Sequence, residues 1–128
     1  MENICVQFID EITKKFDGLQ DAVNEINEYW KPDQAPVTII FAAIGKELVR
    51  QFDSIKNEKK LEVFQCIEDG INSSDINLRT AVATGIIEAL VSESTENEDL
   101  WLRIEQQLGV SSKHYVLSWR CADHSIPV

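Results

Sequence analysis

Catalysis by a protein chain requires a nucleophile, a base or a metal held beside complementary groups, and these 128 residues offer few candidates. The two histidines are His114 and His124. His124 follows Cys121 by three positions and adjoins Asp123, so Cys121, His124 and His114 are the one set able to meet a soft metal. Such a site normally shows tighter paired spacing and a fourth ligand, and an ordinary tail is the plainer reading. Carboxylates are paired at Glu68-Asp69 and over residues 96–99, but general acid work needs a carboxyl shielded from water by an apolar wall. Glu88, between Ile87 and Leu90 in an otherwise apolar run, is the one acid placed for partial burial. Its plainer reading is a surface acid or a partner for Arg79 or Arg103. A Gly-rich phosphate loop, EF-hand spacing, H-E-x-x-H and a basic stripe with interleaved aromatics are all missing. The sequence therefore predicts no catalytic site, no metal and no cofactor.

Binding is the remaining class, and charge gives it a direction. Acids number 22 against 12 bases, a net charge of -10. Residues 61–105 hold 10 acids and 2 bases, which is -8 of that total. Such a surface repels nucleic acid and anionic membrane, and it attracts a basic protein and speeds its encounter. The expected partner-binding face comprises Glu62, Glu68, Asp69, Asp75, Glu93, Glu96, Glu98 and Asp99. Trp101 beside them, and Trp30 at a helix end, are candidate aromatic anchors, although an aromatic at helical spacing more often lies in a core.

The elements that must carry this face are legible from apolar spacing. Ile4, Phe8, Ile9, Ile12 and Phe16 describe a first amphipathic helix. Gly18 interrupts it, and Leu19, Val23, Ile26, Tyr29 and Trp30 continue the period until Pro32. Residues 31–36, with two prolines, form a loop, and Val37, Ile40, Phe41, Ile44, Leu48 and Phe52 form the most apolar and central helix. Only residues 37–40 compete seriously as a strand. A fourth helix opens on residues 57–60, buries Leu61, Phe64 and Ile67, and stops at Gly70. Capping oxygens at Ser73, Ser74 and Asp75 start a fifth, with Leu78, Val82, Ile86, Ile87 and Leu90 inside, and Ala81, Ala83, Thr84 and Gly85 permitting close approach of a neighbour. Residues 92–99 hold no apolar side chain and read as an exposed loop leading into the first turn of the next helix. Leu100, Trp101, Ile104 and Leu108 carry a sixth helix to Gly109. Ser111 or Ser112 caps a seventh bearing Tyr115, Val116 and Trp119, and residues 121–128 read as irregular.

The fold class is accordingly all-α: about seven helices in a single domain over residues 1–128, built from antiparallel hairpins and HEAT-like in part at residues 61–91. No stretch approaches the roughly 20 apolar residues of a membrane span, and Met1-Glu2-Asn3 places acid where a secretory signal places base, so a cytoplasmic protein is expected. The cysteines Cys5, Cys66 and Cys121 are widely spaced among apolar neighbours and read as reduced core thiols.

The run A-V-A-T-G-I-I-E-A-L at residues 81–90, the acidic loop, and L-G-V-S-S-K-H-Y-V-L-S-W at residues 108–119 together resemble helical immunity proteins of bacterial polymorphic toxin and contact-dependent growth inhibition systems. The resemblance covers roughly residues 58–120, and its elements are common helical patterns. It implies a protein that binds a cognate toxin domain and neutralises it. Many such toxins are basic nucleases, and an inhibitor offering carboxylates where they expect phosphates must be acidic. The alternative is a helical adaptor or regulatory subunit using the same face or the groove between the fourth and fifth helices. Third stands an enzyme in which Glu88, His114 or Cys121 converges on a deep pocket. The oligomeric state is left open by the sequence.

Overall fold

A computed structural model describes residues 3–124, with side chains over residues 3–119. Seven helices occur among the described residues, and no strand. Helix α1 (Ile4–Thr13) opens on Asn3, whose side-chain oxygen accepts the Cys5 N–H at 2.6 Å. It buries Cys5, Phe8 and Ile12. Helix α2 (Asp17–Trp30) buries Leu19 and Val23. The chain breaks between them at residues 14–16, with Phe16 extended, so Gly18 lies inside α2 instead of interrupting the helices.

After the proline loop, α3 (Val37–Arg50) buries Phe41, Ile44, Gly45, Leu48 and Val49, and a 3-10 turn, Phe52–Ser54, closes it. The segment that competed as a strand is the first turn of α3. Helix α4 spans Asn57–Ile71. Helix α5 is continuous over Ile76–Ala81, a π-helical turn Val82–Ile87, and Glu88–Ser94. Helix α6 is Glu98–Gln107 and α7 is Val110–His124. Residues 121–124, expected to be irregular, therefore continue α7, and residues 125–128 lie outside the described ones.

One hydrophobic cluster gathers side chains from every helix. Phe8 of α1 stacks on Phe41 of α3 with ring centroids 5.3 Å apart, and Phe52 meets Phe64 of α4 edge to face at 6.2 Å. The central element is α5, which packs on α4, its hairpin partner, but most extensively on α3. Its buried residues come in threes, 81–83, 85–87 and 89–91. A repeat of four residues drifts by about 40° per turn on a regular helix. A π turn inserts about one extra residue and absorbs that drift, so all three triplets stay in the core. The Glu88 N–H bonds back to the Ala83 carbonyl, five residues earlier, as this turn requires.

Glycines set the distance between α3 and α5. A Cβ on Gly85 would stand 2.5 Å from Phe41 Cβ and 3.2 Å from the Thr38 carbonyl oxygen; one on Gly45 would stand 2.7 Å from the Ile86 carbonyl oxygen. The two backbones touch at both points. Gly70, expected to stop α4, instead lies buried within it, where a Cβ would meet Val82 Cγ2 at 2.8 Å and Phe8 Cε2 at 2.9 Å.

Of the apolar residues read as core, Ile4 and Val37 are exposed by 37% and 39%, and two others lie far out on the surface. Leu61 is 67% exposed because it lies about 105° around α4 from the stripe formed by Val63, Phe64, Ile67 and Ile71. Tyr29 is 81% exposed, being about 90° off the stripe of α2. Conversely Ser94, read as loop, is 1% exposed at the end of α5, its hydroxyl donating to the Leu90 carbonyl at 2.6 Å.

Substituting Gly85→Ala is expected to destabilise the protein by about 2 kcal/mol, the usual scale for overpacking against backbone. Urea denaturation should show the midpoint fall with the m-value unchanged; an unaltered midpoint would mean that α3 and α5 separate freely.

Candidate functional site

The expected acidic face divides into structural and free carboxylates. Glu68 serves the fold. Its two oxygens accept the Ser111 N–H at 2.8 Å, the Ser112 N–H at 3.0 Å and the Ser112 hydroxyl at 2.8 Å, so α7 is capped by a carboxylate from α4. The capping oxygens expected from Ser111 or Ser112 thus come from Glu68, and the serines donate. Gly109 makes room for this: a Cβ there would stand 2.5 Å from Glu68 Oε1. Burial pushes the Glu68 carboxyl up, but the hydrogen bonds from Ser111 and Ser112 outweigh it and hold the group below its ordinary value. Asp75 likewise caps α5, accepting the Leu78 N–H at 3.0 Å.

Glu88 accepts the Tyr115 hydroxyl at 2.5 Å, tying α5 to α7, so its partner is a phenol and neither Arg79 nor Arg103. Arg103 pairs with Asp53 and, at 3.1 Å, with Asp99. Glu62 sits 3.8 Å from Lys59, and Asp69 accepts from Gln65 at 2.9 Å. Both line a shallow groove between α1 and α4 with Glu11 and Lys15. Among the described residues no cation pairs with Glu93, Glu96 or Glu98, all exposed at the corner between α5 and α6. Asn97 shapes this corner by accepting the Leu100 N–H at 3.0 Å as α6 begins.

Trp101, named as an anchor, is only 6% exposed and belongs to the core, because it falls on the α6 stripe with Ile104 and Leu108. Trp30 is half-buried. The exposed aromatic is Tyr29, which sequence reasoning assigned to the interior; its offset from the α2 stripe was the available signal. Tyr29 stands in a groove of about 810 Å³ between α2 and α3, floored by Ala22, Ile26, Ala42, Ala43 and Val49. Glu25, Lys46, Glu47, Arg50 and Glu93 form its charged walls. Arg50 is engaged with Glu47, its Nη2 donating at 2.5 Å. Glu93 belongs both to this groove and to the free acidic corner, whereas Glu62 and Asp69 face the groove between α1 and α4. The acids expected on one face therefore occupy at least two.

Of the three residues considered for a soft metal, His114 is exposed on α7, and the side chains of Cys121 and His124 lie outside the described ones. Among the described residues, His, Cys, Asp and Glu nowhere gather in groups of three able to hold a metal. Cys5 and Cys66 are free, buried thiols, and burial pushes Cys66 up to about 12, which keeps it protonated. No helix among the described residues is long and apolar enough to cross a membrane.

Fold and surface define an all-α protein whose distinctive features are grooves and charge. Residues 9–121 match the family described as "Domain of unknown function (DUF7674)", so the chain belongs to that family. Comparison with curated proteins and with solved structures returns no match.

The cross-helix cap makes stability depend on pH in a defined direction. A carboxyl whose value is lowered by folding contributes stability that is fully present above its unfolded value, ordinarily 4.5, and lost as pH falls through the folded value. Glu68→Gln should cost about 1–2 kcal/mol at pH 7, the scale of charge-assisted bonds to helix N–H groups. The gap between this variant and the natural chain, measured by urea denaturation, should narrow as pH drops below about 4.5. A gap independent of pH would show that the charge is not what caps α7.

Proposed function

We propose that this chain is an immunity protein: it binds a cognate, basic, nuclease-type toxin domain in the cytoplasm and neutralises it. The observation that carries this reading is the continuity, through Glu93, of an unpaired acidic corner with an apolar groove holding an exposed tyrosine. Each part has a physical role. Glu93, Glu96, Glu98 and Asp99 create a negative field that steers a basic partner into contact, and the net charge of -10 extends its reach. Desolvated apolar contact then holds the complex, with Tyr29 as the aromatic anchor of the kind that dominates interface energetics. The resemblance of roughly residues 58–120 to helical immunity proteins supplies the identity of the partner class. A partner other than a toxin would make the protein an adaptor working through the same surface, and gene neighbourhood separates the two. An immunity gene is expected just downstream of a large secreted protein with a variable C-terminal domain.

The test uses that C-terminal domain, purified, as the partner. Association should slow at least tenfold between 50 and 300 mM salt, and equally on reversing Glu96, Glu98 and Asp99 to Lys. Tyr29→Ala should leave association intact and raise dissociation at least tenfold, about 1.4 kcal/mol. Cells carrying the toxin should survive only with the unaltered chain. Binding indifferent to both salt and charge reversal would sink the surface assignment, and survival without the chain would sink the immunity reading.

A further inference from the structure

We propose a second site, independent of the toxin-binding reading: the cleft between α5 and α7 binds a small amphipathic monocarboxylate. The cleft holds about 610 Å³, within the range of about 300–1,000 Å³ typical of small-molecule sites. Its apolar lining comes from Ile71, Ala83 and Val110, and Ala83 and Thr84 belong to the π-helical turn, a distortion that recurs at functional sites.

Electrostatics single this cleft out. In a chain with 22 acids and 12 bases, no Asp or Glu among the described residues lines it, although carboxylates line the groove between α2 and α3 and the one between α1 and α4. It contains Arg79, one of only 2 bases among residues 61–105, and the imidazole of His114. Arg79 is half-buried, and its guanidinium is fixed by donating from Nη1 to the Ser73 carbonyl at 2.9 Å. No carboxylate pairs with it among the described residues. Asp75, one turn before Arg79, is engaged in capping α5 through the Leu78 N–H, and Glu88, further along the helix, is occupied by the Tyr115 hydroxyl. A guanidinium held at an apolar cleft with donors to spare is a receptor for an anion, and bidentate pairing suits a carboxylate. The surrounding negative field favours a monoanion over a phosphate dianion. An apolar tail on the ligand would cover Ile71, Ala83 and Val110.

The test is an amide NMR titration of the full chain with octanoate, 1-octanol and inorganic phosphate in parallel. Octanoate should give saturable shifts confined to residues 71, 79–84 and 110–118, with 1-octanol and phosphate at least fivefold weaker. Arg79→Gln should weaken octanoate at least tenfold while leaving 1-octanol unchanged. Should that variant fail to fold, Ser118→Phe, at an exposed rim position, should block octanoate while the spectrum stays folded. Lack of saturation, shifts centred elsewhere, 1-octanol or phosphate binding as well as octanoate, or octanoate binding unaffected by either variant would each overturn the proposal.

Discussion

The contact between α3 and α5, where Gly45 and Gly85 let two backbones touch, is the constraint on which the rest of the molecule depends. A helix seated that deeply is surrounded on nearly all sides, and α5 buries three successive triplets of residues. Such a helix cannot stay regular, since the four-residue repeat of its buried positions outruns the ordinary helical period. The π-helical turn reconciles the two. It also makes α5 the element against which α3, α4 and α7 are placed, so both candidate binding regions inherit their geometry from this one contact.

Around this apolar centre, a few polar bonds fix the outer helices. Glu68 reaches from α4 to the first turn of α7, and Glu88 reaches from α5 to Tyr115 of the same helix. Two carboxylates from the most acidic stretch thereby anchor the last helix. This changes how the net charge is understood. The excess acid is partly architecture, and the portion left for long-range attraction is concentrated where α5 hands over to α6.

The surface is correspondingly divided by polarity. The groove between α2 and α3 has three carboxylates and two bases in its walls and runs into the acidic corner, whereas the cleft between α5 and α7 has an arginine and a histidine and, among the described residues, no carboxylate. Surfaces that differ in charge favour different ligands, which is why the two proposed sites call for partners of opposite sign.

The sequence named α3 as the central helix where the structure gives that place to α5, but by itself it determined the all-α class, the order and approximate limits of seven helices, and the small-residue run that admits a neighbouring helix. These follow from local spacing, because apolar period, prolines and capping residues act within a few positions along the chain. Tertiary structure alone decided the fates of individual side chains. Trp101 went inside and Tyr29 outside because burial depends on which neighbour covers each helical face, and an offset of about 90° from a stripe reads as core until the neighbours are known. The cap of α7 was equally hidden, since its acceptor lies 43 residues before Ser111. Nor could residues 61–105 reveal that their acids face different grooves. Net charge is a property of the chain, but a binding face is a property of how helices pack, and only packing could divide one acidic stretch into caps, grooves and a free corner.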